Sequence, residues 1–158
     1  MELILWRHAD AGEPSDDPEQ DLARRLSPRG RKQSARVAAW LAARLPERYG
    51  LVSSPAPRAV ETAEALGPKV RLDPILLPGA RGEDVLKAVA WPSGQEGRPR
   101  HCVLVGHQPT LGRAAALALT GVELDWAMKK AALIWLTARP DDPDRPILLR
   151  AVIGPDLL

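Results

Sequence analysis

Short, continuous apolar runs alternate with longer amphipathic stretches along this chain, a pattern typical of an α/β fold. Residues 3–6 and 102–105 are uninterrupted apolar runs, as expected for parallel strands that are buried on both faces. Leu51 and Val52 predict a very short strand between them. Each of the three runs leads into polar or glycine-containing residues, so the strand ends are candidate positions for a functional site.

Helical periodicity fills the segments between these runs. Residues 30–45 repeat apolar side chains at helical spacing, Ser27 and Pro28 form a start signal, and Pro46 marks the stop. Three further helices are predicted over residues 58–66, 83–91 and 111–119. Strands and helices therefore alternate through most of the chain.

The remaining segments complete a predicted topology. Residues 10–25 are rich in acids and proline, which predicts a surface loop without a packed element, and residues 70–77 predict a brief extended connection. Near the end, residues 132–137 and 147–153 predict two strands joined by a turn over residues 138–146. We therefore expect a three-layer α/β sandwich with a mainly parallel sheet, helices on both faces and an antiparallel C-terminal hairpin at one edge.

Composition narrows the class of protein. With 158 residues and 45% hydrophobic content, the chain suits one domain over residues 1–158. The single cysteine, Cys102, and the absence of zinc-type spacing predict a reducing, cytoplasmic setting with no metal or other cofactor. No apolar run is long enough to span a membrane. The net charge of +2 from 22 basic and 20 acidic residues argues against nucleic acid, and we expect a monomer.

Reactive side chains follow three of the predicted strands. Arg7 and His8 follow the first strand, Arg58 lies in the turn region after the second, and His107 follows the strand at residues 102–105. Taken singly, each residue is more often a solvated or structural group than a catalytic one. In an open α/β sheet, however, the strand ends meet in one crevice, where two histidines and two arginines suit a phosphate dianion.

Four sequence strings carry a family resemblance. LILWRHADAG resembles the RHG-type opening of the histidine phosphatase superfamily, with Ala9 in place of the usual glycine. LSPRGRKQS, SSPAPRAVETAEAL and VLVGHQPTLG resemble its helix start, its arginine segment and its second-histidine segment. Together with KKAALIWL near the end and no inserted cap, the strings are most similar to the compact SixA-type phosphohistidine phosphatases. The resemblance implies a phosphoglycerate mutase-like fold.

The resemblance also implies roles for these residues. His8 would accept the phosphoryl group on its ring nitrogen, and Arg7, Arg58 and His107 would bind the phosphoryl oxygens. Two neighbouring guanidinium groups disfavour a protonated His8, which keeps its lone pair available. The implied substrate is a phosphohistidine on a signalling or phosphocarrier protein.

The proton donor and the lysine pair are less defined. Ile75 or Leu76 stands where many members of the superfamily have a glutamate, which leaves Asp10, Asp73, Glu83 and Asp84 as candidates. Asp10 ranks first because it follows the nucleophile by two residues, although a turn-capping role suits it equally. Lys129 and Lys130 either attract an acidic protein substrate or a second phosphate, or form a solvated pair, and Lys130 is the candidate substrate-binding residue.

Two other functions fit the same residues. One is a phosphatase acting on small phosphomonoesters such as sugar phosphates or nucleotides. The other is a noncatalytic module that binds phosphorylated partners, for which an intact nucleophile would be unnecessary. Labelling of His8 with phosphate separates the module from the enzymes.

Overall fold

A six-stranded sheet forms the centre of the described part of the protein. The computed structural model describes residues 1–144 and 146–158. The strands are β1 (Glu2–Arg7), β2 (Gly50–Ser53), β3 (Arg71–Leu72), β4 (His101–Gly106), β5 (Leu133–Ala138) and β6 (Ile147–Ile153). Their spatial order is β3-β2-β4-β1-β5-β6. The first four strands in this order are parallel to one another, β5 pairs antiparallel with β1, and β6 pairs antiparallel with β5. The predicted sheet and C-terminal hairpin are confirmed, whereas Arg145, in the predicted turn, lies outside the described residues.

Within the described residues, five α-helices connect the strands. They are α1 (Pro18–Ala23), α2 (Pro28–Ala42), α3 (Pro57–Glu64), α4 (Gly82–Ala88) and α5 (Thr110–Thr120). The predicted start of α2 is confirmed, because Ser27 Oγ accepts from the Gly30 N–H at 3.0 Å and Pro28 is the first helical residue.

Both faces of the sheet are covered, which explains why β1 is apolar at consecutive positions. Ile4 and Trp6 belong to a core that includes residues of α2 and α3, such as Val37 and Ala59. Leu3 and Leu5 belong to a second core with Val85 of α4 and Leu111 of α5. The predicted three-layer arrangement is therefore confirmed.

Residues 10–25 are not entirely a loop, which corrects the prediction from the sequence. They contain the six-residue helix α1, although none of its residues is buried. Asp17 accepts from the N–H groups of Glu19 and Gln20, and Pro18 follows it as the first helical residue, which is the same start signal that predicted α2. The acidic, proline-containing composition obscured this signal.

Two smaller differences concern the segment between β2 and β4. The predicted extended connection at 70–77 contains the two-residue strand β3 and a 3₁₀ turn over Pro74–Leu76. Helix α4 ends at Ala88, three residues before the predicted end, and Ala90 takes a positive φ of 52° that an α-helix does not accommodate.

The strand order brings the predicted site residues to one edge. Strands β2, β4 and β1 are neighbours, with Ser53 paired to Val105 and Arg7 paired to Gly106 at their carboxyl ends. In the part of the chain that the structure describes, no helix has the length and apolar content needed to cross a membrane.

Candidate active site

The two histidines lie side by side at this edge. The His8 N–H donates to the Gly106 carbonyl at 3.0 Å, which ties the end of β1 to the end of β4. The rings of His8 and His107 are 5.1 Å apart between centroids, with an angle of 56° between their planes. His8 is 7% exposed and His107 is 4% exposed, so both rings sit in a largely dry environment.

One hydrogen bond fixes which nitrogen of His8 carries its proton. Nδ1 lies 2.8 Å from the Ala9 carbonyl oxygen. A carbonyl only accepts, so Nδ1 carries the hydrogen and the neutral ring keeps its lone pair on Nε2. The loop itself is held from α3, since the Ala9 N–H donates to Thr62 Oγ1 at 3.0 Å. Nε2 of His8 is therefore the unprotonated ring nitrogen.

Burial is the main reason that His8 stays neutral. Desolvation, together with the smaller effects of the nearby charges of Arg58, Arg7 and Arg24, lowers the pKa of His8 to about 4. The expected effect of the arginines is thus present but smaller than that of burial, and the hydrogen bond to the Ala9 carbonyl, the second-largest contribution, raises the pKa. At neutral pH the Nε2 lone pair is available.

His107 is oriented by Ser54. Its Nε2 lies 2.8 Å from Ser54 Oγ, which also accepts weakly from the Ala56 N–H at 3.3 Å. When the Ser54 hydroxyl donates to Nε2, the hydrogen of the neutral ring lies on Nδ1, which is buried and has no hydrogen-bond partner within residues 1–144 and 146–158. Burial, then His8 and the arginines, lowers the pKa of His107 to about 3. His107 is then a neutral donor.

Arg58 reaches the site from the first turn of α3. It is only 3% exposed, and its Nη1 donates to the carbonyls of Asp21 and Leu22 at 2.8 and 3.3 Å. Nη2 lies 3.7 Å from the Asp21 carboxylate. The Nε–H is buried and has no hydrogen-bond partner in the part of the chain that the structure describes. The unpredicted helix α1 therefore anchors the guanidinium and leaves one donor free.

Arg7 is held in a similar way. Its Nη1 donates to the Met128 carbonyl, which lies in the segment before β5. Its Nε is also buried, without a hydrogen-bond partner among the described residues. Burial lowers the pKa of Arg7, although a guanidinium remains charged.

Among residues 1–144 and 146–158, three buried donors at the site thus lack partners. They are Arg7 Nε, Arg58 Nε and His107 Nδ1. Leaving such groups unpaired costs about 1–3 kcal/mol each, more when they are charged. Unpartnered donors of this kind, two of them on guanidinium groups, suit the oxygens of a phosphoryl group. No group of three or more potential metal-binding side chains comes together within residues 1–144 and 146–158.

Asp10 is held as a carboxylate. Its Oδ2 accepts from the Ser27 hydroxyl at 2.6 Å, and its Oδ1 forms an ion pair with Lys130. These two bonds, that of Lys130 first, lower the pKa of Asp10 to about 2. An acid that is ionised at neutral pH is a poor proton donor, so this environment favours a positioning role over the predicted catalytic one.

The helix-start motif explains how Asp10 is positioned. Its backbone carbonyl accepts from the Ser27 N–H at 3.0 Å, and its N–H donates to Gln33 Oε1 at 3.0 Å. A Cβ at Gly30 would lie 1.9 Å from the Asp10 carbonyl oxygen, so only glycine fits there. Ser27, Gly30 and Gln33 were quoted in the sequence motif, yet their shared contact with Asp10 was not predicted.

The other three candidate acids have local partners. Asp73 accepts from the Ile75 N–H in the 3₁₀ turn, Glu83 pairs with Lys87, and Asp84 accepts from the backbone before α4. These contacts account for the three carboxylates as structural groups.

Sequence reasoning missed several supporting residues. Ser54 and Thr62 belong to the quoted arginine segment, four residues before and four residues after Arg58. This spacing was the available signal. Asp21 and Arg24 form an ion pair, their charges both act on Arg58, and the charge of Arg24 also acts on His8. No signal in the sequence pointed to them, because Asp21 lies on helix α1, which was not predicted, and Arg24 directly follows it.

The fold and this cluster define a class of protein, the phosphoglycerate mutase-like α/β proteins. The family model of the histidine phosphatase superfamily (branch 1) matches residues 3–85. An uncharacterized protein from Picosynechococcus sp. is 34% identical over 145 residues, covering 86% of this chain and 84% of the relative. The chain belongs to the histidine phosphatase superfamily and is a phosphatase-type hydrolase.

Two solved structures show the same fold. The protein histidine phosphatase SixA complexed with tungstate is 22% identical, with a TM-score of 0.76 and coverage of 99% of both chains. The phosphoserine phosphatase from Entamoeba histolytica in complex with 3-phosphoglyceric acid is 18% identical, with a TM-score of 0.62 and coverage of 97% of this chain and 96% of its own. The SixA-like fold is therefore confirmed.

The depressed histidine pKa values predict an acid-sensitive fold. In the unfolded chain both histidines titrate near pH 6.5, whereas the pKa values in the folded state are about 4 for His8 and about 3 for His107. Between pH 6.5 and 4 the unfolded chain binds more protons, so the free energy of unfolding falls as the pH falls. We expect a loss of about 2 kcal/mol from pH 7 to pH 4.5 for His8 alone.

Urea unfolding at a series of pH values checks this expectation. A double variant with glutamine at positions 8 and 107 is the control, because it should lose most of the slope between pH 6.5 and 4. An equal slope in the variant and the wild type would assign the acid sensitivity to other groups.

Proposed function

We propose that the protein hydrolyses phosphohistidine on partner proteins through a phosphorylated His8. The observation that supports this proposal is the set of three buried, unpartnered donors of Arg7, Arg58 and His107 beside a neutral imidazole. Such donors stabilise the charge that develops on the three outer oxygens of a transferring phosphoryl group.

In the first step, the Nε2 lone pair of His8 attacks phosphorus in line with the leaving group. The Nε2–P bond forms while the bond from phosphorus to the substrate breaks, and the departing atom takes the electron pair. Because the Ala9 carbonyl keeps the hydrogen on Nδ1, the phosphorylated ring is cationic.

In the second step, water attacks the phosphorus of phosphorylated His8. The Nε2–P bond breaks, its electrons return to Nε2, and water loses a proton to solvent or to the product phosphate. A cationic ring leaves as neutral imidazole, so no further proton donor is required. Burial and the neighbouring arginines disfavour the cation, which speeds this step.

The state of Asp10 bears on the substrate class. An alkoxide leaving group needs a proton, whereas the imidazole of a substrate phosphohistidine departs as a neutral molecule when its other nitrogen is protonated. Since Asp10 is held as a carboxylate and the other candidate acids have local partners, the site suits the leaving group that does not depend on an acid.

A direct comparison of substrates tests this assignment. We expect kcat/KM for a phosphohistidine-bearing protein to exceed that for a panel of small phosphomonoesters by about 10², the usual contribution of general acid catalysis that esters would lack here. Phosphate release measured under identical conditions gives both values. A preference for esters by orders of magnitude would overturn the substrate assignment and leave the hydrolase intact.

Hydrolysis of small phosphomonoesters is the second candidate. It is supported by the fold shared with the phosphoserine phosphatase from Entamoeba histolytica. The same panel of esters decides between the two.

A further inference from the structure

A basic groove lies next to the active site and has no role in the chemistry described above. It has a volume of about 680 Å³ and runs between the first half of α2 and the residues that flank β5 and β6. One wall carries Arg29, Lys32 and Arg36 of α2, and the other carries Lys129 and Lys130. We call it the α2 groove.

The α2 groove concentrates positive charge. Five cations face only two carboxylates, Asp10 and Asp156, which gives a net charge of +3 in a chain whose total is +2. The small net charge of the whole sequence therefore does not reveal the strongly basic surface of the α2 groove.

Some of these cations are engaged and others are free. Lys130 pairs with Asp10, Lys129 pairs with Asp156, and the Arg36 guanidinium donates to the Pro155 carbonyl. Within the described ranges 1–144 and 146–158, the side chains of Arg29 and Lys32 form no hydrogen bond or ion pair and are exposed. These two cations are available to a ligand.

The α2 groove begins at the catalytic loop. Asp10, two residues after His8, lies in its lining, and the residue after Lys130 donates its N–H to the His8 carbonyl at 3.1 Å. The lining of the α2 groove and the loop that carries His8 are therefore adjacent, so a protein whose phosphoryl group lies at His8 also lies near the groove.

From this geometry we infer that the α2 groove binds an acidic segment of the phosphorylated protein substrate, an inference that rests on the proposed function. Arg29, Lys32 and Arg36 follow one another at spacings of three and four residues on one face of α2, so they span about 10 Å. An extended peptide covers that length in about three residues, each able to carry one carboxylate.

Other anionic ligands fit the groove less well. One phosphate is too small to meet cations spread over this length. Single-stranded nucleic acid usually stacks its bases on aromatic side chains, and the groove lining contains none. An acidic peptide segment uses both the length and the charge.

Matched peptides test the inference. Two synthetic phosphohistidine peptides carry either three glutamates or three glutamines beside the phosphohistidine. At low salt we expect wild type to hydrolyse the glutamate peptide with a kcat/KM about tenfold higher, through KM, and His8→Ala protein to bind it about tenfold more tightly by fluorescence anisotropy. At about 0.5 M salt the difference should largely vanish.

A pair of double variants separates the α2 groove from general charge. Arg29→Glu/Lys32→Glu should abolish the preference, with rates on the glutamine peptide unchanged. Arg48→Glu/Lys69→Glu makes the same charge change at exposed residues away from the groove and should keep the preference.

Each failure has a distinct meaning. Equal hydrolysis and equal binding of the two peptides would overturn the docking inference while leaving the phosphatase intact. Equal losses of the glutamate preference in both double variants would also overturn the docking inference. So would an Arg29→Glu/Lys32→Glu protein that loses activity only on a small bisphosphate ester, because that result would assign the α2 groove to a second phosphate. Failure to hydrolyse either peptide would overturn the proposed function, and the binding measurement would still decide the docking inference.

Discussion

Replacing His8 with alanine is expected to lower kcat by about 10⁴-fold or more and to abolish the phosphorylated enzyme. The Ala9 carbonyl holds the hydrogen on Nδ1, so Nε2 of His8 carries the lone pair that would attack the substrate. Unpartnered donors of Arg7, Arg58 and His107 would bind that substrate. Rapid quenching with radiolabelled substrate, followed by a test for acid-labile, base-stable protein phosphate, gives the measurement.

The other two histidines provide the controls. His101, at the start of β4 and thus at the opposite end of the strand from His107, should tolerate alanine with activity unchanged. His107→Ala should slow turnover by about 10²–10³-fold, the usual effect of removing a donor to the transition state, yet still allow labelling of His8. Label that persists in His8→Ala would show that another residue is the nucleophile, and the noncatalytic module would be favoured if wild type acquired none.

Replacing Gly30 with alanine is expected to destabilise the protein by about 3 kcal/mol. In an ordinary helix this change stabilises by up to about 1 kcal/mol. Here the added Cβ would lie 1.9 Å from the Asp10 carbonyl oxygen, a backbone atom that moves only with the catalytic loop. Because Asp10 lies two residues from His8, the same displacement should also reduce kcat.

Urea unfolding together with steady-state rates measures both effects. Gly50→Ala is the matched control, since its Cβ would meet the His101 carbonyl oxygen at 3.7 Å, an ordinary contact. A Gly30→Ala protein that is as stable as wild type would mean that α2 can move away from the loop at little cost.

The strands, and with them the four residues at their ends, were predictable because a strand that is buried on both faces has an uninterrupted apolar sequence. β1 packs both faces against helices, so its apolar run was unambiguous, and parallel neighbours place Arg7, His8 and His107 at one edge. The start of α2 was predictable for a local reason, the Ser27 cap followed by Pro28.

The supporting contacts were not predictable, because they join residues that are far apart in the sequence. Asp10 was ranked as an acid from its distance to His8 along the chain, whereas its partner Lys130 lies 120 residues away. Helix α1 has no buried residue and therefore no hydrophobic periodicity, yet its carbonyls anchor Arg58. The α2 groove likewise assembles cations from two distant segments.

The two halves of the site are attached to the protein with unequal strength. β1 is paired along its length with β4 on one side and β5 on the other, so its amides should exchange with solvent only when the whole molecule unfolds. The carbonyls that receive Arg58 belong to α1, which buries nothing. On warming, α1 should open first, and the affinity for an oxyanion should decline while the strand that ends at His8 is still fully protected from exchange.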